Sequence, residues 1–128
     1  MKLRSRPRSD SSKLEAKFAL YWRGLGGPAL APEFQFHPER RWRADFAHIK
    51  SRTLIEIEGG LHIFGGGRHN RAAGFVLDCE KYLHAWLASW SVVRLTANQI
   101  TAPTLERIII ALRQRMAPYS VLPDYVRD

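Results

Sequence analysis

Two short segments constrain this chain most: Trp42–His48 and Thr53–Glu58, each alternating in polarity and separated by Ile49 to Arg52. Alternation with a period of two marks strands, and so short a connection folds them into an antiparallel hairpin. Facing residues then have numbers that sum to 101, which sets Asp45 opposite Glu56. Opposed side chains have Cβ atoms about 4.5–5.5 Å apart, where like charges destabilise the pair unless something neutralises them. Glu58 adds a third acid on that face, about 6.8 Å further along the strand.

The remaining elements frame this hairpin. Ser12-x-x-Glu15 has the pattern of a capping box, and Leu14, Phe18, Tyr21/Trp22 and Leu25 follow at helical spacing, predicting a helix over about 13–23 that Gly24, Gly26, Gly27 and Pro28 end. A strand is expected over Glu33–His37, and a long helix from about Arg68 to Trp90 with Phe75, Cys79, Tyr82/Leu83, Trp86/Leu87 and Trp90 as its apolar, core-facing stripe. Asp78, Lys81 and Ala85 lie on an adjoining edge. Ser91–Thr96 reads as a strand, and Thr101 caps a last helix carrying Leu105, Ile108/Ile109, Leu112 and Met116. The order α-β-β-β-α-β-α predicts an α/β fold with a mixed sheet, because the strand after the long helix returns parallel through a crossover.

The chain has 128 residues, enough for one domain, and its 20 Lys+Arg against 12 Asp+Glu give a formal charge of +8. Such a balance favours a polyanionic partner, nucleic acid or an anionic membrane. Residues 1–13 hold five of the basic groups and one acid, and read as a flexible basic arm (Arg4, Arg6 and Arg8 among its charges) ahead of a single domain over 14–128. The arm lacks both a secretory apolar core and an amphipathic pattern, and no apolar run approaches a spanning helix, which argues against a membrane partner. Cys79 is the single cysteine, so no internal disulfide and no cysteine zinc cluster can form; the expected compartment is cytoplasmic.

Three converging acids in a basic chain suit a hard divalent cation: Mg²⁺ takes one or two carboxylates, keeps waters and accepts phosphate oxygens. The competing reading pairs the acids with Arg43, Lys50 or Arg52 on a solvated face. Gly65-Gly66-Gly67-Arg68-His69 leads into the long helix and gathers free amides and cationic side chains where a phosphate would be welcome, yet it lacks the Lys-Ser/Thr of a Walker A loop. His69 is suited to bind phosphate or protonate a leaving oxygen; His37, His48 and His84 read as structural.

Asp45, a turn, then Glu56-Ile57-Glu58 resembles the PD-(D/E)XK nuclease superfamily. The wider string of Arg43-Ala-Asp45-Phe, Ile55-Glu-Ile-Glu-Gly-Gly60, Gly67-Arg-His69, Asp78 with Lys81-Tyr82, and Val93-Arg-Leu-Thr96 is similar to small phage-encoded endonucleases, some Holliday-junction resolvase-like, and more distantly to very short patch repair endonucleases. The resemblance covers about 14–96. It implies a restriction-endonuclease-like core and a Mg²⁺-dependent DNA endonuclease, with Mn²⁺ able to substitute, acting in the bacterial host cytoplasm if phage-encoded. It implies metal ligation by Asp45, Glu56 and the Ile57 carbonyl, with Glu15 reaching the metal through water unless it serves the capping box instead. Glu58 stands where the superfamily usually has lysine, so the positive charge is expected from Lys81 on the following helix, unless Lys81 pairs with Asp78 at i,i+3. Arg43, Arg68, His69, Arg71 and the arm are the expected DNA contacts, and two-strand cleavage would favour a homodimer. The alternative is a non-catalytic nucleic-acid-binding module of the same fold, its acids structural and its affinity salt-dependent.

Overall fold

A computed structural model of the chain describes residues 10–59 and 68–115. Helix α1 spans Asp10–Gly24, strands β1, β2 and β3 span Ala31–Gln35, Arg43–His48 and Thr53–Glu58, α2 spans Arg68–Leu87, β4 spans Ser91–Thr96, and α3 spans Ala102–Arg115 after a 3₁₀ turn at Ala97–Gln99. The fold is α/β: four strands in the order β1-β2-β3-β4, with β1 to β3 antiparallel and β4 parallel to β3 through the α2 crossover. No helix among the described residues is long and apolar enough to cross a membrane.

The hairpin has the register expected from its loop, with Phe46↔Ile55, Ala47↔Leu54 and His48↔Thr53 paired. His48 Nδ1 lies 2.7 Å from Ser51 Oγ, and the Ser51 hydroxyl in turn meets Thr53 Oγ1 at 3.0 Å, so this histidine ties the β2–β3 turn. Burial lowers the His48 pKa, as a buried neutral ring requires. Strand β3 is one of the two inner strands and is buried on both faces. Ile55 and Ile57 pack with Phe18, Trp22, Leu95, Leu105, Ile109 and Leu112 under α1 and α3, while Leu54 packs with Ala44, Ala47, Ala85 and Trp90 under α2.

Three boundaries differ from the sequence reading. Helix α1 begins at Asp10, so Ser12 and Glu15 lie inside its first turns and not at the N-cap and N3 positions. The arm–helix boundary moves accordingly from Lys13 to Asp10, and Arg4, Arg6 and Arg8 lie outside the described residues. Strand β1 runs over Ala31–Gln35 instead of Glu33–His37, because His37 Nδ1 accepts the Glu39 and Arg40 amides (3.1 and 2.9 Å) and closes a turn around Pro38. Thr101 caps α3 as expected, its hydroxyl accepting the Thr104 amide at 3.4 Å.

The larger correction concerns α2. Its expected core-facing stripe is turned outward: Phe75, Cys79, Leu83, Trp86 and Leu87 are exposed. The adjoining edge faces the sheet instead, with Ala85 fully buried and Lys81 half-buried on Glu56; of the expected stripe Tyr82 does turn inward, half-buried beside Glu58. Trp90 is buried as expected, but in the turn after the helix has ended.

Gly27 marks a close approach. Its amide donates to the Trp22 carbonyl at 3.0 Å, the Trp22 indole donates to Pro28 O at 2.8 Å, and a Cβ at position 27 would overlap the buried indole ring. Gly24 has open space around it. Gly27→Ala is therefore expected to destabilise the protein by about 1–3 kcal/mol through overpacking, with Gly24→Ala close to neutral, as read from urea unfolding midpoints.

Candidate metal and catalytic site

The antiparallel ladder between β2 and β3 reaches Phe46↔Ile55, and beyond it the Asp45 side chain takes over: Asp45 Oδ2 accepts the Ile57 amide at 2.7 Å. An unbroken register would give that amide a partner on the Ala44 backbone. The alternation of β2 slips at this point. Ala44 packs on the α2 side, Phe46 on the α1 side against Phe18, and Ala47 again on the α2 side. Strand β1 is irregular at the matching place, since Glu33 lies between the pairs Pro32↔Phe46 and Phe34↔Ala44 with φ of 49°, a left-handed conformation costing a non-glycine residue about 1–2 kcal/mol.

These two irregularities bring Asp45 and Glu33 to Glu15 on α1. One carboxylate oxygen from each of Glu15, Glu33 and Asp45 lies within 4.8 Å of the others. Among the described residues none of the three has an ion pair. The Glu15 carboxyl is pushed up to about 7 by burial first and then by the neighbouring charges of Asp45, Glu33 and Glu56. Such a donor set, all hard oxygen and short of positive charge, fits a divalent cation.

On the α2 side the acids have protein partners. Lys81 Nζ donates to Glu56 Oε1 at 2.9 Å and to the Arg43 carbonyl at 2.8 Å, with the two side chains only 16% and 10% exposed. Burial raises the Glu56 carboxyl to about 7 even though Lys81 pulls the other way, and Asp45 and Glu58 add to the rise. Glu58 accepts from Arg94 Nε at 2.7 Å and lies 3.5 Å from the Tyr82 hydroxyl, whose own titration is driven upward by burial and by the two glutamates. Arg94 also reaches Asp78 at 3.7 Å, and its guanidinium is held more firmly protonated, chiefly by the bond to Glu58.

The structure thus joins Asp45, Glu15, Ile57, Glu56, Glu58 and Lys81 into one region at the end of β3, with Lys81 on Glu56 rather than on Asp78. Glu56 lies outside the Glu15–Glu33–Asp45 cluster, and Ile57 presents its amide to Asp45. Arg43 is exposed at the start of β2; the side chains of Arg68, His69 and Arg71, and the loop 60–67 before them, lie outside the described residues. Sequence reasoning missed two members. Arg94 was accessible, because a parallel β4 in register sets it beside Glu56. Glu33 was not, because it depends on a kink in β1. No protein-family model, curated protein or solved structure matches the chain.

Glu15 and Glu56 carry a sign-definite pH dependence in the metal-free protein. With native pKa values of about 7 against an ordinary 4.5, the folded state holds protons that the unfolded state releases, so their stability contribution is complete below 4.5 and lost as pH rises through 7. Thermal melts of wild type and Glu15→Gln should therefore diverge in favour of the variant between pH 5 and 8, and Mg²⁺ should raise the melting temperature of the wild type more than that of the variant. A constant offset across that pH range would contradict the assignment.

Proposed function

We propose that this chain is a Mg²⁺-dependent DNA endonuclease built on a restriction-endonuclease-like core, hydrolysing phosphodiester bonds. The observation that carries the reading is the adjacency of a carboxylate cluster (Glu15, Glu33, Asp45) that has no ion pair among the described residues and a lysine held in place on Glu56. The resemblance to PD-(D/E)XK nucleases asks for such a combination, and a chain of formal charge +8 suits a polyanionic substrate.

Asp45, Glu15 and Glu33 would hold the cation, with Glu56 and the Ile57 carbonyl as the neighbouring donors. Bound Mg²⁺ supplies polarisation of the phosphate and a more acidic water. Lys81 would sit where charge grows on the phosphate, oriented by Glu56 and the Arg43 carbonyl, and Glu58, fixed by Arg94, would bound the space for the water. Arg43, Arg68, His69 and Arg71 would contact flanking phosphates, with Arg4, Arg6 and Arg8 adding salt-dependent affinity. In that step water's oxygen would join phosphorus, the bond to the leaving sugar oxygen would break, and the proton given up by the water would be restored to that oxygen by way of His69.

One observation favours the alternative, a non-catalytic nucleic-acid-binding module: Glu56 and Glu58 already have basic partners, as structural acids do. A cleavage panel of branched and linear DNA separates the two. The endonuclease reading expects nicking that needs Mg²⁺ or Mn²⁺ and falls on the order of 100-fold or more in Asp45→Ala and Glu56→Ala, with DNA binding in gel shifts retained. Binding without nicking in either metal, by a folded wild type, leaves the binding module.

A further inference from the structure

The outer face of α2 has no role in the site. Ala72, Val76, Cys79, Leu83 and Trp86 recur along it at alternating spacings of four and three, the heptad pattern by which one helix packs against another. Phe75 and Leu87 widen the stripe, and nothing among the described residues covers it: Phe75 is 70% exposed, Val76 63%, Leu83 55% and Trp86 72%.

The charges of α2 beyond its first turn point elsewhere. Lys81 is on Glu56, Asp78 is near Arg94, and Glu80 pairs with Arg40 from the β1–β2 connection. Two copies of a chain with formal charge +8 repel each other over most of their surface, so a face on which the described residues leave no unpaired charge is where they can approach. The exposed apolar area is on the order of 700 Å², close to the roughly 800 Å² per partner of a standard stable interface.

We propose that the occupant is a second copy of this chain, docked by α2 against α2 about a two-fold axis with the helices antiparallel. In an isologous pairing centred on Cys79 facing residue numbers sum to 158, which sets Cys79 against the partner's Cys79, Leu83 against the partner's Phe75 and Trp86 against the partner's Ala72. Large meets small at the ends, and a small side chain lies on the axis. The proposal stands apart from the nuclease reading, since it concerns assembly alone.

Sedimentation of the full chain at tens of micromolar is expected to give twice the 14.7 kDa chain mass. A short bis-maleimide, spanning the interaxial distance of about 8–10 Å, should link Cys79 to Cys79 across the axis, and as the single cysteine it makes the product unambiguous. Trp86→Glu and Leu83→Glu, both at exposed positions of the protomer, should give monomers with an unchanged circular dichroism spectrum. A wild-type monomer overturns the proposal; if its Cys79 also resists maleimide, residues 116–128 of the same chain become the occupant, and if it reacts freely, a different protein does. A dimer that survives Trp86→Glu, or in which Cys79 does not cross-link, places the interface on another face.

Discussion

The ion pair between Lys81 and Glu56 decides how α2 lies on the sheet. Glu56 sits on the inner strand β3, its carboxylate nearly out of solvent, and an unpaired charge there would cost several kcal/mol. A lysine reaching down from the covering helix offsets that cost, and the small Ala85 one turn later lets the helix approach closely. Once this edge faces inward, the apolar stripe on the other side of α2 has to face outward. An apolar stripe is normally the inward face of a helix; here the edge that meets the buried carboxylate of β3 lies inward and the stripe is left exposed.

The same tension runs through the N-terminal half. The hairpin places Asp45 and Glu56 in opposed positions, and the chain separates them instead of leaving two like charges face to face. The Asp45 side chain captures the Ile57 amide, β2 changes side, and Glu33 adopts a left-handed conformation beside it. The irregular backbone and the acidic cluster therefore have one origin. Strain of this kind persists where the surrounding structure over-determines it, and here α1 supplies that support through Phe18, stacked on Trp22 and tilted against Phe46.

How much of this was legible follows from what each feature depends on. The β2–β3 register depends on a four-residue turn and two alternating segments, all local, so the numbers sum correctly from sequence alone. Strand β4 and the crossover follow from the β-α-β order. The outward turn of α2 was hidden because periodicity reports where apolar residues are, and is silent on a buried carboxylate on the preceding strand that meets the polar edge. Glu33 was hidden because the β1 pairing depends on the His37 turn and on a φ value that no propensity announces. Lys81 was legible only through resemblance; Arg94, the partner of Glu58, needed the parallel register to be carried through.

The site is also divided along the chain. Glu15, Glu33, Asp45, Glu56 and Glu58 all precede residue 59, whereas Lys81 and Arg94 arrive only after the crossover. The hairpin and β1 can form from local pairings, but Glu56 and Glu58 meet Lys81 and Arg94 only once α2 and β4 have packed on β3, a contact that closes a long stretch of chain. Residues 1–59 carry 12 basic against 7 acidic groups, yet the acids of the site draw their partners from the other half of the chain, so the charge balance of the site is a property of the finished sheet and of neither half alone.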